Sequence, residues 1–395
     1  MVYFFGGIMI KTENPKKLYE KLELAKRQLK NAKSREERIA LSNYIYCLLY
    51  SIKIVSNEEN DPILKDIYGN YKNITLFNKK IDGHLDKVLR NFVISKDFHK
   101  DFFEKMFRKT TKRIKFLEED EYSGITTLSE GDFYNIFFEF MSKLGLSKYF
   151  DKFVKDHRIY NTNVQFDINT FGYTLFNPIS KDSDIFIEGL EYDIFSMYVL
   201  AHEFGHVYDL NHFNNNIADY NKYVYESFNG ESISKTFERL FIDFLLENNI
   251  LKDEAKDQLF DMINYNYEYI VSSYIISLLP DILLIDGSYQ DLPRTKIYKL
   301  LERNFKEKNS IRKFINKSCN FDVSETFTYS YGDIYSIFLK EMVKNNDYKL
   351  DVLEEIFEYR NSLFKEDMLN KFNITPDNYV KLYEKDIDIL KKKTN

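Results

Sequence analysis

The sequence predicts a mainly helical protein with one small β-sheet, and three features carry that prediction. Glycine (13) and proline (6) are scarce in 395 residues, well below the ~12% that average usage would give, so few positions interrupt a helix. Apolar residues recur at three- and four-residue spacing over most of the chain, the period of an α-helix with one buried face. A single interval, from about 163 to 189, instead carries short runs of aromatic and β-branched residues punctuated by Gly, Asn and Pro, the pattern of short strands.

Taken in order, Leu18, Leu22, Leu24, Leu29, Ile39, Leu41, Tyr44 and Leu48 recur among Lys and Glu between Pro15 and Ser56. That spacing predicts a helical hairpin turning near "NAKSREE". "DPILKDIYGNYKN" breaks the pattern, and helix resumes from about Lys80 to Glu119. Inside it "RKTTKRIK" reads as a solvated helix face. "GITTLSEGDF" is a second break, followed by a helix from about Phe133 to Leu144. The runs "NVQFDIN", "GYTLFN" and "DIFIEG" then predict the sheet. Helices are expected beyond it at about 193–212, 231–249, 254–279, 294–308, 325–344, 350–371 and 376–392. The expected organisation is an N-terminal helical region, 1–120, and a region carrying the candidate site, 121–395, with no internal repeat or low-complexity linker.

Composition narrows the function classes. Hydrophobic residues make up 44% of the chain and charged residues 30%, enough for a sizeable core under a soluble surface. The net charge is −6, from 56 basic and 62 acidic residues spread along the length. That balance gathers neither nucleic acid nor an anionic membrane. Two cysteines cannot form a disulfide framework, and Cys47, in "YIYCLLY", reads as a core residue. The opening "MVYFFGGIMIKTENP" has no basic start and no apolar run of secretory or membrane-spanning length, so a cytoplasmic location is expected. His84, His99 and His157 stand apart in polar, helical surroundings and read as surface or structural residues.

The chemistry concentrates in "VLAHEFGHVYDL", residues 199–210. His202 and His206, four apart, project from one helix face and can reach one metal ion, with Glu203 placed to meet a water there. Chance would produce on the order of 0.01 such patterns in a chain of this composition. Met197, Leu200, Phe204 and Val207 form an apolar face distinct from the line Tyr198, His202, His206. Gly205 lowers helix propensity by about 1 kcal/mol relative to Ala, which makes sense if something must approach the backbone there.

A catalytic zinc takes three protein ligands and keeps one open position. His212 follows His206 too closely to complete such a set, so the third ligand should be a carboxylate from another helix. "NGESISKTFERLF" offers Glu231, Ser234 and Glu238 on one helix face, beside an apolar stripe of Ile233, Phe237, Leu240, Phe241 and Phe244. No glycine-rich phosphate loop, nucleophile elbow or paired-cysteine spacing is present.

"HEFGH" and "ESISKTFE", with Glu231 standing 25 residues after His206, resemble peptidase family M3, the zincins (gluzincins) of the thimet oligopeptidase and oligoendopeptidase F group. The resemblance covers about residues 165 to 340. It implies a helical M3-like fold with a small sheet beside the active-site helix, and one Zn²⁺ per chain held by His202, His206 and Glu231. Glu203 would then be the base.

"GYTLFNPISKDSDIFIEGLEYDIFSMYVLAHEFGH" resembles the family's edge strand, hairpin and approach to the zinc helix, implying that Gly172, Tyr173, Thr174 and Leu175 align a peptide backbone. "FTYSYGDIYSIF" implies Tyr329 as oxyanion donor, with Tyr331 as fallback and substrate contact. Two departures stand out: Asp209 occupies a position where members commonly carry His, and no His follows His212. Asp209 and Glu238 read as acceptors behind the ligand imidazoles.

The expectation is therefore a zinc-dependent endopeptidase cutting short, extended peptides by metal-activated water. The chain is shorter than typical members, mostly on the N-terminal side, which implies a narrower substrate range, such as one dedicated peptide. A toxin-like His-Glu-x-x-His protease with a specific protein substrate, and a zinc- or peptide-binding module without catalysis, are the alternatives.

Overall fold

The predicted N-terminal hairpin is present in the computed structural model, which describes residues 16–56, 96–114, 124–162, 171–212, 229–286, 323–354 and 366–391. Helix α1 (Lys16–Asn31) and helix α2 (Arg35–Ser56) are separated by a short turn. Ser34 starts α2 as a capping box: its Oγ accepts from the Glu37 N–H at 3.0 Å, while Glu37 Oε2 accepts from the Ser34 N–H at 3.3 Å. The buried stripe consists of Leu18, Leu22 and Ala25 on α1 and Tyr44, Ile45, Leu48, Leu49 and Ile52 on α2. Leu24, Ile39 and Cys47 are exposed, against the apolar reading of the sequence. Each stands off the narrow stripe that two packed helices bury.

Helix α3 spans Lys96–Ile114, and α4, Glu130–Lys143, begins at Ser129, whose side chain caps the Asp132 N–H. A nine-residue helix that the sequence reading did not anticipate, α5 (Ser147–Lys155), follows and buries Phe150 and Phe153. Strands β1 (Ile159–Thr162), β2 (Gly172–Phe176) and β3 (Ser183–Glu188) come next. β1 falls before the expected run "NVQFDIN", which lies outside the described residues. Four residues are too few to show alternation, and β1 exists through its pairing with β3. Helices α6 (Ile194–Asn211), α7 (Asn229–Asn248), α8 (Lys252–Asp286) and α9 (Val323–Asn345) follow. Of the helix expected over 350–371, the described residues begin with a 3₁₀ turn at Leu350–Leu353 and end with α10 (Glu366–Lys371), while 355–365 lie outside them; α11 (Pro376–Lys391) ends the described chain. The expected helix at 294–308 and the break "DPILKDIYGNYKN" lie outside the described residues. The fold is mainly α with one small sheet, as predicted, and among the described residues no helix is long and apolar enough to cross a membrane.

The described residues group into two compact units, each drawing on both sides of residue 120. The first unit holds 16–56, 124–162, 171–212, 229–255 and 339–354. Its sheet runs β1-β3-β2, with β3 parallel to β1 and antiparallel to β2. A ring stack crosses the strands from Tyr160 to Phe186 (4.7 Å) to Tyr173 (4.6 Å) and packs with the α1–α2 hairpin. An ion pair from Lys21 to the buried Asp184 ties α1 to β3. Phe204 of α6 sits among Phe137, Tyr149, Phe150 and Phe153, anchoring that helix to α4 and α5.

The second unit holds 96–114, 256–286, 323–338 and 366–391. Here α3 packs with α11, and Lys109 pairs with Asp377. Thr110 and Thr111 of "RKTTKRIK" are buried, so only part of that run is a solvated face; Arg108 pairs along the surface with Glu104.

Candidate metal centre

Helix α6 presents two faces. Asp193 caps its start by accepting from the Ser196 N–H at 2.7 Å. Met197, Leu200, Phe204 and Val207 are fully buried, while His202 and His206 turn to the other side and are half-buried. Helix α7 crosses at Gly205, where an added Cβ would meet the Ser234 Cα at 2.5 Å and the Ile233 carbonyl oxygen at 3.1 Å. Only a hydrogen atom fits there, so the two backbones touch. That contact, with the buried stripe Ile233, Phe237, Leu240, Phe241 and Phe244, brings Glu231 opposite the histidines. Ser234 Oγ donates to the Glu231 carbonyl at 3.1 Å and lies 3.3 Å from its carboxylate, steadying the side chain.

The three candidate ligand atoms form a compact triangle. The Nε2 atoms of His202 and His206 are 3.1 Å apart, and Glu231 places Oε2 at 3.5 Å from the first and Oε1 at 3.7 Å from the second. Ligand atoms around a tetrahedral zinc with bonds of ~2.0–2.1 Å stand about 3.3–3.4 Å apart. Two imidazoles and a carboxylate are also a donor set that suits zinc, and three ligands leave the fourth position open. The residues therefore fit the ion. Among the described residues no other group of three or more His, Cys, Asp or Glu donors comes together in this way.

Behind the triangle, His202 Nδ1 lies 2.5 Å from Glu238 Oε1, and the Tyr198 hydroxyl donates to Glu238 Oε2 at 2.5 Å. An ionised carboxylate only accepts, so Nδ1 carries a hydrogen, and Nε2 is the nitrogen turned to the centre, where a metal would take the place of its proton. Burial alone would raise the Glu238 carboxyl, but Lys235, His202 and Tyr198 hold it down at about 2. Burial would lower His202; the Glu238 hydrogen bond and the charges of Glu238, Glu231 and Glu203 raise it instead to about 9. The site thus draws positive charge. His206 is pushed down to about 4, chiefly by burial, and so is a neutral imidazole with a free lone pair. Asp209 is buried one turn beyond His206 on α6; the acceptor seen on His202 is Glu238.

Strand β2 closes the other side. Thr174 Oγ1 lies 2.8 Å from Glu203 Oε2 and 3.0 Å from the Glu203 carbonyl oxygen. A Cβ at Gly172 would meet Val199 Cγ1 at 2.7 Å and Glu203 Oε1 at 3.1 Å, so glycine lets the strand lie directly against that carboxylate. Burial raises the Glu203 carboxyl to about 7, against the opposing pull of His202 and the Thr174 hydrogen bond.

Among the described residues β2 is also an edge strand. The Glu188 N–H donates to the Phe171 carbonyl and the Asn177 N–H to the Asp182 carbonyl, each at 2.8 Å. With Tyr173 opposite Phe186 and Leu175 opposite Asp184, the odd-numbered residues are those bonded to β3. The N–H and C=O groups of Gly172 and Thr174 accordingly point away from β3, along the edge that no described strand covers. Tyr173 and Leu175, expected with them as substrate contacts, turn their backbones to β3 and their side chains into the core. The two-residue period of a strand separates the four positions into two pairs.

Tyr329 and Tyr331 belong to the second unit. Tyr329 is half-buried and stacks on Tyr269, with ring centroids 5.3 Å apart. Tyr331 is fully buried against Phe102 and Phe103, a core position. Sequence reasoning did not assign roles to Tyr198 or to the Thr174 side chain. Tyr198 had a signal, being four residues before His202 on the same helix line; the Thr174 contact had none, because it depends on how strand and helix pack.

No protein-family model matches the chain, and no curated protein matches it. Among solved structures, one described as an oligoendopeptidase F from Bacillus anthracis str. Ames is 16% identical, covering 94% of this chain and 69% of that one, with a TM-score of 0.44. The structure titled PZ peptidase A with inhibitor 2 is 10% identical, covering 97% of this chain and 98% of that one, with a TM-score of 0.47. At that level of similarity, it is the site's own geometry that indicates what this chain can do.

Proposed function

We propose that the protein is a zinc-dependent endopeptidase that hydrolyses short, extended peptides. The observation that carries this reading is the juxtaposition of a three-donor triangle, a buried carboxylate next to it and an open strand edge beside that carboxylate. The resemblance of "HEFGH" and "ESISKTFE" to family M3 supports it.

His202, His206 and Glu231 would hold the ion. Zinc in such a site lowers the pKa of water towards ~7 and polarises a carbonyl. The free edge of β2 aligns the substrate as an added strand, through the N–H and C=O of Gly172 and Thr174, which orders the peptide without reading its side chains. Glu203 takes a proton from the attacking water on its carboxylate as the new C–O bond forms, and hands it to the amine nitrogen as the tetrahedral adduct collapses, re-forms the carbonyl and breaks the peptide C–N bond. A carboxyl raised by burial suits both halves of that transfer. The family resemblance adds Tyr329 as a donor to the developing oxyanion, an assignment carried by the motif "FTYSYGDIYSIF" alone.

One set of measurements tests the reading: zinc content, and turnover of quenched-fluorescent peptides with and without chelator. The parent chain should bind one zinc and lose activity to chelator. Glu203→Gln should keep the zinc and lose about 10²–10⁴-fold in turnover, the usual contribution of a general base. Tyr329→Phe should lose about 10²–10³-fold if its hydroxyl serves the oxyanion. Equal cleavage by parent and Glu203→Gln would overturn the assignment of the base, and with it the reading.

A further inference from the structure

We propose that Thr174 is a positioning residue for Glu203: its hydroxyl clamps one oxygen of the carboxylate, so that the strand that aligns the peptide also aims the base. The inference rests on the endopeptidase reading and adds to it a side chain that acts on the base, not on the substrate.

Three observations meet at this residue. The Thr174 hydroxyl has a single hydrogen and lies within reach of two acceptors on Glu203, Oε2 at 2.8 Å and the main-chain carbonyl at 3.0 Å, the carboxylate oxygen being the nearer. Glu203 Oε2 is thereby occupied, while Oε1 faces Gly172, where a Cβ would intrude to 3.1 Å. The two oxygens are made unequal: one is held by the hydroxyl, and the other faces a glycine, which offers it no side chain, and carries no hydrogen bond among the described residues. Finally, the backbone of Thr174 faces the free edge of β2.

The choice of residue fits this task. A glutamate has two side-chain torsions beyond χ1 and must be fixed by a partner if its oxygen is to meet a water within hydrogen-bond reach. Threonine is branched at Cβ and stiff at χ1, and its main chain is held by the pairing of β2 with β3, so the hydroxyl is a rigid donor. Misplacing a reacting group by about 1 Å is enough to cost on the order of 100-fold in rate. If the hydroxyl only satisfied a buried carboxylate, nothing would require it to come from the strand that borders the open edge. A peptide paired to the Thr174 backbone would meet a base whose aim is set by the same residue.

The test compares Thr174→Val and Thr174→Ser with the parent and with Glu203→Gln, reading kcat and KM on one quenched peptide and zinc content for each. Valine keeps the shape and the backbone groups but not the hydroxyl. It should lower kcat about 10–100-fold with KM and zinc content unchanged, and serine should restore most of the loss. Parental kcat in Thr174→Val, beside an inactive Glu203→Gln, overturns the positioning role and leaves the endopeptidase reading standing. A rise in KM at constant kcat also overturns it, because Thr174 would then act on substrate alone. A serine variant as slow as the valine one overturns it too, since the methyl group would be what matters. If the valine chain fails to fold and bind zinc, Thr174→Cys, similar in size and a weak donor, takes its place under the same outcomes. Full turnover by Glu203→Gln would strike the endopeptidase reading itself.

Discussion

Glu203 and Glu238 are equally buried and titrate in opposite directions, one raised to about 7 and the other held at about 2. Burial acts on both in the same sense, so the difference is in their partners. Glu238 has Lys235, His202 and Tyr198 around it, and every one of them favours the charged form. Glu203 has His202 and one threonine hydroxyl, with Glu231 and Glu238 adding repulsion. Two carboxyls separated in this way can divide the work, one steadying an imidazole and the other moving a proton.

A third carboxylate gives a prediction about acid stability. Glu247 is held at about 2, below its ordinary 4.5, because hydrogen bonds from Lys143, Tyr348 and Lys344 and the Lys344 charge outweigh its partial burial. A carboxyl whose pKa is lowered in the folded state stabilises fully above its unfolded value and loses that contribution as pH falls through the folded one. The stability that Glu247 adds should therefore vanish between about pH 4.5 and about pH 2. Urea midpoints of the parent and Glu247→Gln should converge across that window; a constant difference would show that the carboxylate is not the source.

At the scale of elements, the site depends on how closely α6 and α7 approach. Gly205→Ala puts a methyl group into the Ser234 backbone, which cannot rotate away as a side chain can. Overpacking of this kind costs about 1–3 kcal/mol, and moving α7 also carries Glu231 away from the two Nε2 atoms. The variant should lose stability in urea and bind zinc more weakly. Parental zinc affinity in a destabilised Gly205→Ala would separate the helix contact from the ligand geometry.

Elements differ in how legible they were. α7 was readable because its apolar residues keep helical period over many turns, and α6 because Met197, Leu200, Phe204 and Val207 recur at helical spacing beside its two histidines. β1 and α5 were not, being four and nine residues long with few apolar positions each. The outward turn of Leu24, Ile39 and Cys47 could not be read either, since an apolar residue beside a buried stripe looks the same in sequence as one within it.

At the scale of the whole molecule, metal and folding are coupled. The three donors come from two helices of the first unit, so an ion bound there stabilises the folded form over the unfolded one. Zinc at a hundredfold excess over its Kd should add about 2.7 kcal/mol. Calorimetry should show a melting transition that rises with the logarithm of zinc concentration and falls with chelator, and Glu231→Ala should abolish the dependence. A parental transition indifferent to zinc would mean that the triangle does not bind it.

By itself the sequence determined what backbone geometry dictates locally. His202 and His206 share a face because a helix turns every 3.6 residues, and Glu231, Ser234 and Glu238 share another for the same reason. It also marked Gly205 as a place of close approach. Tertiary structure alone decided what depends on the packing of one element against another. The register of β2 on β3 assigned Gly172 and Thr174 to the open edge and sent Tyr173 and Leu175 to the core. The seating of β2 against α6 put the Thr174 hydroxyl on Glu203. Periodicity states which face a residue occupies, but the partner across that face is set by contacts between distant parts of the chain.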